Sequence, residues 1–228
     1  MTTLFVIATP IGNLSDLSER AKTTLAVVDA VLCEDTRVSA KIMNAISVKK
    51  PLVAYHQHSD DRRVREIIAR LKAGDSLALV TDAGTPGISD PGGKLIERVV
   101  RDLGDEVAII PIPGPNAAIA ALSISGFPTD AFLFLGFPPQ KNGRKSYFAR
   151  VAACHETVVF YESTHRILKT LAELGELKEL EGRKMVLCRE LTKLHETTYR
   201  GTITEVTEKL KAGSIKGEFV VILCKNFT

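Results

Sequence analysis

No apolar run in these 228 residues approaches the roughly 20 that a bilayer-spanning helix needs. The N-terminal apolar run, Leu4 to Ala8, is short and lacks the basic flank of a secretory signal. The four cysteines, Cys33, Cys154, Cys188 and Cys224, have no paired spacing of the zinc-clasping or redox kind and read as cytosolic thiols, mostly in strands. An excess of either charge is also missing: 30 basic residues face 27 acidic ones, and a net charge of +3 is too mild to demand a polyanionic partner. There is no internal repeat and no low-complexity tract. Two familiar nucleotide loops are absent as well. A P-loop counted from Gly87 reaches Gly92 but then meets Gly93, and Lys94 is followed by Leu95. A dinucleotide fingerprint needs three spaced glycines after the first strand, where this chain has Thr9-Pro10-Ile11-Gly12-Asn13.

What is present is ordinary globular composition, 45% hydrophobic and 25% charged, in a length that holds one large or two small α/β domains. The organising stretch runs from Ser76 to Gly93. Leu77 to Val80 reads as a buried strand, and Gly84, Pro86, Gly87, Pro91, Gly92 and Gly93 then crowd a short loop. A helix follows, with Asp90 as expected N-cap, Pro91 at its first position, and Leu95, Ile96, Val99, Val100 and Leu103 on one stripe. A permissive loop at the carboxyl end of a strand is where open α/β sheets bind ligands, and Asp82 and Thr85 stand within it.

Strand and helix patterns alternate along the rest of the chain. Leu4 to Ala8 is the first strand, and Ser18 caps the helix after it. Ala30 to Cys33 delivers Glu34, Asp35, Thr36 and Arg37 to a strand end, where they suit either a helix N-terminus or a cleft. Leu52 to Tyr55 ends in His56-Gln57-His58, whose two imidazoles read as exposed or substrate-facing, because further metal ligands are not in evidence. Val107 to Ile112 is broken by Pro113-Gly114-Pro115-Asn116, and Asn116 is expected to cap an alanine-rich helix from Ala117 to Ser125, whose first amides suit a ligand carboxylate or ribose. Phe132 to Leu135 leads into a polar loop from Gly136 to Lys145 carrying Lys141, Arg144 and Lys145, read as functional or mobile. Strands Thr157 to Tyr161, Lys184 to Cys188, Thr197 to Gly201 and Glu218 to Leu223 follow, with helices Arg166 to Leu174 and Glu205 to Leu210. The expectation is two α/β domains, residues 1–115 with a parallel sheet and 116–228 with a mixed sheet.

Seven strings, TPIGNLSDLSERA, CEDTR, TDAGTPGISDPG, PGPNAAIAALSISG, FYESTHR, CRELTKLHE and KGEFV, lie in one order from Thr9 to Val220. In this the chain resembles the bacterial 16S ribosomal RNA (cytidine-2′-O)-methyltransferases of the tetrapyrrole-methylase superfamily, the class III S-adenosylmethionine enzymes. It departs from their pattern at Thr164, where proline is usual, at Asn116, where serine or cysteine is commoner, and in ending soon after KGEFV, where many relatives continue. The resemblance implies a donor cleft between the two domains, no metal, a cytoplasmic homodimer, and a cytidine ribose in the decoding region of 16S rRNA, within the small ribosomal subunit, as acceptor. Carried over by motif, S-adenosylmethionine would contact Pro10, Ala83, Gly84, Thr85, Ile88, Asn116, Ala117, Tyr161, Glu162, Leu191 and Glu218. Arg37, Lys141, Arg144 and Lys145 are the expected RNA contacts.

Methyl transfer from a sulfonium is an in-line displacement, so alignment and exclusion of water are the main demands. A ribose hydroxyl is a poor nucleophile, and Asp82, Glu34, Asp35 and His56 are the candidates for a base. Two rivals remain open at this point: methylation of a tetrapyrrole carbon by an enzyme of the same superfamily, and a catalytically inactive RNA- or nucleotide-binding module.

Overall fold

The structure is a computed structural model that describes residues 2–225 apart from 57, 58 and 60. The chain divides into two compact units, Met1–Asn116 and Ala117–Thr228.

The first unit alternates strictly: β1 (Thr2–Ile7), α1 (Glu19–Val27), β2 (Ala30–Cys33), α2 (Thr36–Ala45), β3 (Leu52–Ala54), α3 (Asp61–Lys72), β4 (Leu77–Leu79), α4 (Gly92–Leu103) and β5 (Val107–Ile112). Its five strands are all parallel in the order β3-β2-β4-β1-β5. The inner strands β2 and β4 are buried throughout and are continuous apolar runs, while the edge strands β3 and β5 are only partly covered. Leu77 and Leu79 pack with Leu4, Leu32 and the α3 and α4 residues Ile67, Leu71, Leu95 and Val99. Ala78 and Val80 point the other way, into a core with Ile7, Val31, Leu25 of α1 and Ile42 and Met43 of α2. Right-handed crossovers explain the division. The chain leaves β1 over the place of β4 to reach β2, and leaves β4 over β1 to reach β5, so α1 and α4 fall on opposite faces. The connections of β1 and β4 therefore leave their carboxyl ends toward opposite faces, the edge at which sheets of this kind bind ligands.

Local chemistry sets the helix starts. Ser18 accepts the Ala21 N–H at 3.1 Å, and Asp35 accepts that of Arg37 at 2.8 Å. Asp90 makes the capping bond expected of it at the start of α4. Pro91 already has helical dihedrals and is the boundary residue, with α4 beginning at Gly92. Asp90 accepts the Gly92 amide at 2.7 Å, as a cap does, and also that of Gly87 at 2.8 Å, which closes the loop before the helix.

The second unit comprises α5 (Ala117–Ser123), β6 (Phe132–Phe134), α6 (Arg144–Ala153), β7 (Thr157–Ser163), α7 (Ile167–Gly175), β8 (Lys184–Arg189), β9 (Thr197–Thr202), α8 (Ile203–Ala212) and β10 (Glu218–Leu223). Its sheet is mixed, in the order β6-β7-β10-β8-β9. Only β6 and β7 run parallel. A capping box of Thr202 and Glu205 starts α8. Helix α6 was not expected from the sequence. Its buried face carries Phe148, Val151 and Ala152 but opens with Arg144, a charge that reads as solvent and hides the stripe. The polar loop before it accordingly ends at Gly143.

Candidate functional site

At the carboxyl edge of the parallel sheet, the loops after β1 and β4 are joined by backbone. Thr9 N–H donates to the Gly84 carbonyl at 2.9 Å, and Gly84 N–H returns a bond to Thr9 at 3.1 Å. The buried Thr9 hydroxyl donates to the Thr81 carbonyl at 3.0 Å. Gly84 holds φ at 89°, a left-handed conformation that side chains resist. The loop after β5 closes on the same place. Thr85 donates its hydroxyl to the Pro115 carbonyl at 3.0 Å, and a Cβ on Gly114 would lie only 3.0 Å from that of Ala8. Thr9-Pro10, Ala83-Gly84-Thr85 and Pro113 to Asn116 thus form one backbone-lined ledge. Pro10 is buried in it, while Ala83 and Ile88 are exposed.

Carboxylates stand beside the ledge. Asp82 accepts the Asp35 N–H at 3.1 Å, and burial pushes its pKa above the ordinary carboxylate value. Glu34 is raised too, first by burial and then by the charges of Asp82 and Asp90. It shares a small recess with Tyr55, Thr81 and Asp90. Asp35 is different: hydrogen bonds from Arg37, to which it is ion-paired, lower its pKa to about 2. Its lone pairs serve helix α2 and that arginine, so it is the weakest base of the four candidates. His56 is exposed, and His58 lies outside the described residues. Among the described residues no group of three or more His, Cys, Asp or Glu side chains is arranged to hold a metal ion.

The chain's similarity to known proteins bears on this edge. Residues 3–207 match the family described as Tetrapyrrole (Corrin/Porphyrin) Methylases. The chain belongs to that family. Curated relatives include ribosomal RNA small subunit methyltransferase I of Halalkalibacterium halodurans, 42% identical over 97% of this chain and 75% of that one. The protein of the same name from Thermotoga maritima is 39% identical over 98% of both chains. Solved structures with this fold include a cobalt precorrin-4 methyltransferase, with a TM-score of 0.69 at 17% identity over 97% of this chain and 94% of the other. Another is uroporphyrin-III C-methyltransferase from Thermus thermophilus complexed with S-adenosylhomocysteine, with a TM-score of 0.65 at 16% identity over 98% and 97%.

Within this tetrapyrrole methylase fold, the second unit treats the remaining site residues unequally. The Tyr161 hydroxyl accepts the Ala118 N–H at 3.2 Å, so that amide of α5 serves the protein, and the ring packs on Phe134 and Phe137. Leu191 is buried between Glu190 and Thr192, both left-handed without being glycine, with φ of 52° and 65°. Such conformations persist where surrounding bonds over-determine them. Here Lys193 bridges Glu190 at 2.9 Å and Glu218 at 2.6 Å, and Glu218 N–H donates to the Glu190 carboxylate at 2.8 Å. Thr164, the departure from the usual proline, both donates to and accepts from the Gly217 backbone at 2.6 Å.

One expectation needs correction. Arg144 is 6% exposed and cannot reach an RNA phosphate, because Glu173, Thr170 and the Pro139 carbonyl occupy its guanidinium. Glu162 is 1% exposed, and Ser163 N–H, Thr170 and Arg166 occupy its carboxylate. Lys141 and Lys145 are exposed, as is Arg37 beside its partner Asp35. Sequence reading passed over Thr9 and the loop-closing role of Asp90. A threonine at a strand end facing a glycine loop, and an aspartate three residues after Gly87, were the available signals.

Proposed function

We propose that this chain transfers a methyl group from S-adenosylmethionine to the 2′-hydroxyl of a cytidine in 16S ribosomal RNA, with the Thr9–Gly84 ledge receiving the donor. The observation that carries this reading is the difference in likeness. Relatives named ribosomal RNA small subunit methyltransferase I are about 40% identical over nearly the whole chain, whereas the corrin and porphyrin enzymes share the fold at 16–17% identity. The ledge fits such a donor: it is exposed at Ala83, and Thr9, Thr85 and Asp90 hold it in place before any ligand arrives. Preorganisation of this kind serves positioning. The donor itself supplies an activated methyl group.

Asp82 is the carboxylate suited to take the ribose proton. It stands next to the ledge, is held by the Asp35 N–H, and has a pKa raised toward the range where a base is effective. Lys141, Lys145 and Arg37 are the cations placed for phosphate. The acceptor is presented on the small ribosomal subunit, which makes the chain a cytoplasmic enzyme, and the working form is a homodimer. Substituting 2′-deoxycytidine at the target nucleotide tests the reaction type. The deoxy substrate should bind nearly as well and accept no methyl. Label entering the deoxy substrate, or a porphyrin precursor, would overturn the reading.

A further inference from the structure

A group of buried charges in the second unit is enclosed by its own hydrogen bonds. The Glu162 carboxylate, at the end of β7, is fully enclosed and takes Thr170 at 2.6 Å and the Arg166 Nε at 2.8 Å, with Arg144 at 4.0 Å. The two arginines then turn the same way. Arg144 donates to the Pro139 carbonyl at 3.0 Å, and Arg166 donates to the Pro138 carbonyl at 2.8 Å. Thr170 links them, accepting from Arg144 at 2.7 Å while donating to Glu162. Pro138 and Pro139 have no backbone N–H, so ordinary strand pairing cannot hold this turn, and their carbonyls are the available handles. Two residues further on stands Lys141, exposed at the tip before α6. Buried ion groups of this kind contribute little net stability over apolar packing, and their best-attested use is to select one arrangement.

We propose that Glu162 is a positioning residue for the RNA-facing loop, acting through Arg144 and Arg166 to fix Pro138 and Pro139 and so present Lys141 to a phosphate. This rests on the reading of the chain as an RNA methyltransferase whose Gly136–Gly143 loop meets the substrate. It separates two jobs within one motif: Tyr161 packs beside the start of α5, and its neighbour Glu162 governs the loop.

The test uses Glu162→Gln in the full chain, with Lys141→Ala and the double variant. In Glu162→Gln, S-adenosylmethionine affinity by calorimetry should stay within about twofold, while KM for the small subunit should rise about tenfold with kcat little changed. Hydrogen exchange should quicken in residues 136–143 and remain slow in β7 and α7. Adding Lys141→Ala should then cost little more, because the lysine is already misplaced. A comparable loss of donor affinity in Glu162→Gln, or an unchanged KM and loop exchange beside a Lys141→Ala that weakens RNA binding, would overturn the inference and leave the RNA reading standing. If Lys141→Ala itself changes neither RNA affinity nor its salt dependence, the reading of the loop is what fails. Should Glu162→Gln not fold, Arg166→Lys removes the hold on Pro138 from a partly exposed position and is read against the same outcomes.

Discussion

Two carboxylates from neighbouring positions in their motifs, Asp82 in TDAG and Glu162 in FYES, have opposite surroundings. Asp82 receives the Asp35 N–H, is partly exposed and sits at an open ledge of backbone, and burial raises its pKa. Glu162 is enclosed and saturated by an amide, a hydroxyl and an arginine. The difference teaches that an acidic residue at a strand's carboxyl end is not thereby a site residue. Spare hydrogen-bonding capacity at an accessible place distinguishes one that can act on a substrate from one consumed by its own fold.

The sharpest way to break the comparison is Asp82→Asn. If Asp82 is the base, methyl transfer should fall roughly 10²–10⁴-fold in single-turnover assays. Wild-type rate should rise with pH through the raised pKa of Asp82 and level off above it, and the variant should lose that dependence. Stability has the reverse sign. A folded pKa above the unfolded value means the native state binds the proton more tightly, so stability declines as pH rises through that window, and Asp82→Asn should not destabilise the fold at neutral pH. Asp35, lowered to about 2, is the mirror case: its contribution is present above the unfolded pKa and is lost as pH falls toward about 2. A flat pH–rate profile unaltered by Asp82→Asn would remove the base assignment.

Arg144→Ala tests the enclosed side. Removing one partner from a buried ion group typically costs about 3–5 kcal/mol, so denaturant unfolding should show a loss of that order. A loss under about 1 kcal/mol, the range of a surface pair, would mean that Arg144 is a solvent-facing cation after all.

Gly84→Ala comes next. Left-handed strain costs roughly 1–2 kcal/mol of stability, and a donor lying on this backbone should lose at least about tenfold in affinity, or about 1.4 kcal/mol. Gly182→Ala is the control, since Gly182 is also left-handed, with φ 72° and open space around it. It should show the strain and no change in donor affinity. Equal donor affinity in both variants would move the donor off the ledge.

The smallest effect is electrostatic. Lys141→Ala and Lys145→Ala should each lower the slope of log affinity against log salt by about one, without altering donor binding. A slope unchanged in both would return these lysines to the solvated surface.

Much of this architecture was determined by sequence alone. Continuous apolar runs ending in Gly- and Pro-rich turns mark a sheet covered on both faces, and the helical stripes between them dictate alternation and hence parallel pairing. That placed the central loop at a strand's carboxyl end, and its glycines and Thr85 at the ledge. What only tertiary structure decided is which polar side chains remain available. Arg37, Lys141, Arg144 and Lys145 look alike as letters, and so do Glu34, Asp35, Asp82 and Glu162. Periodicity reports which face of an element is apolar, but it cannot show that a helix begins its buried face with an arginine because a glutamate from one strand stands near it and a threonine from another helix accepts its hydrogen bond. Those partners lie 18 and 26 residues away along the chain, and the bonds that decide the role of each charge exist only once the sheet has brought them together.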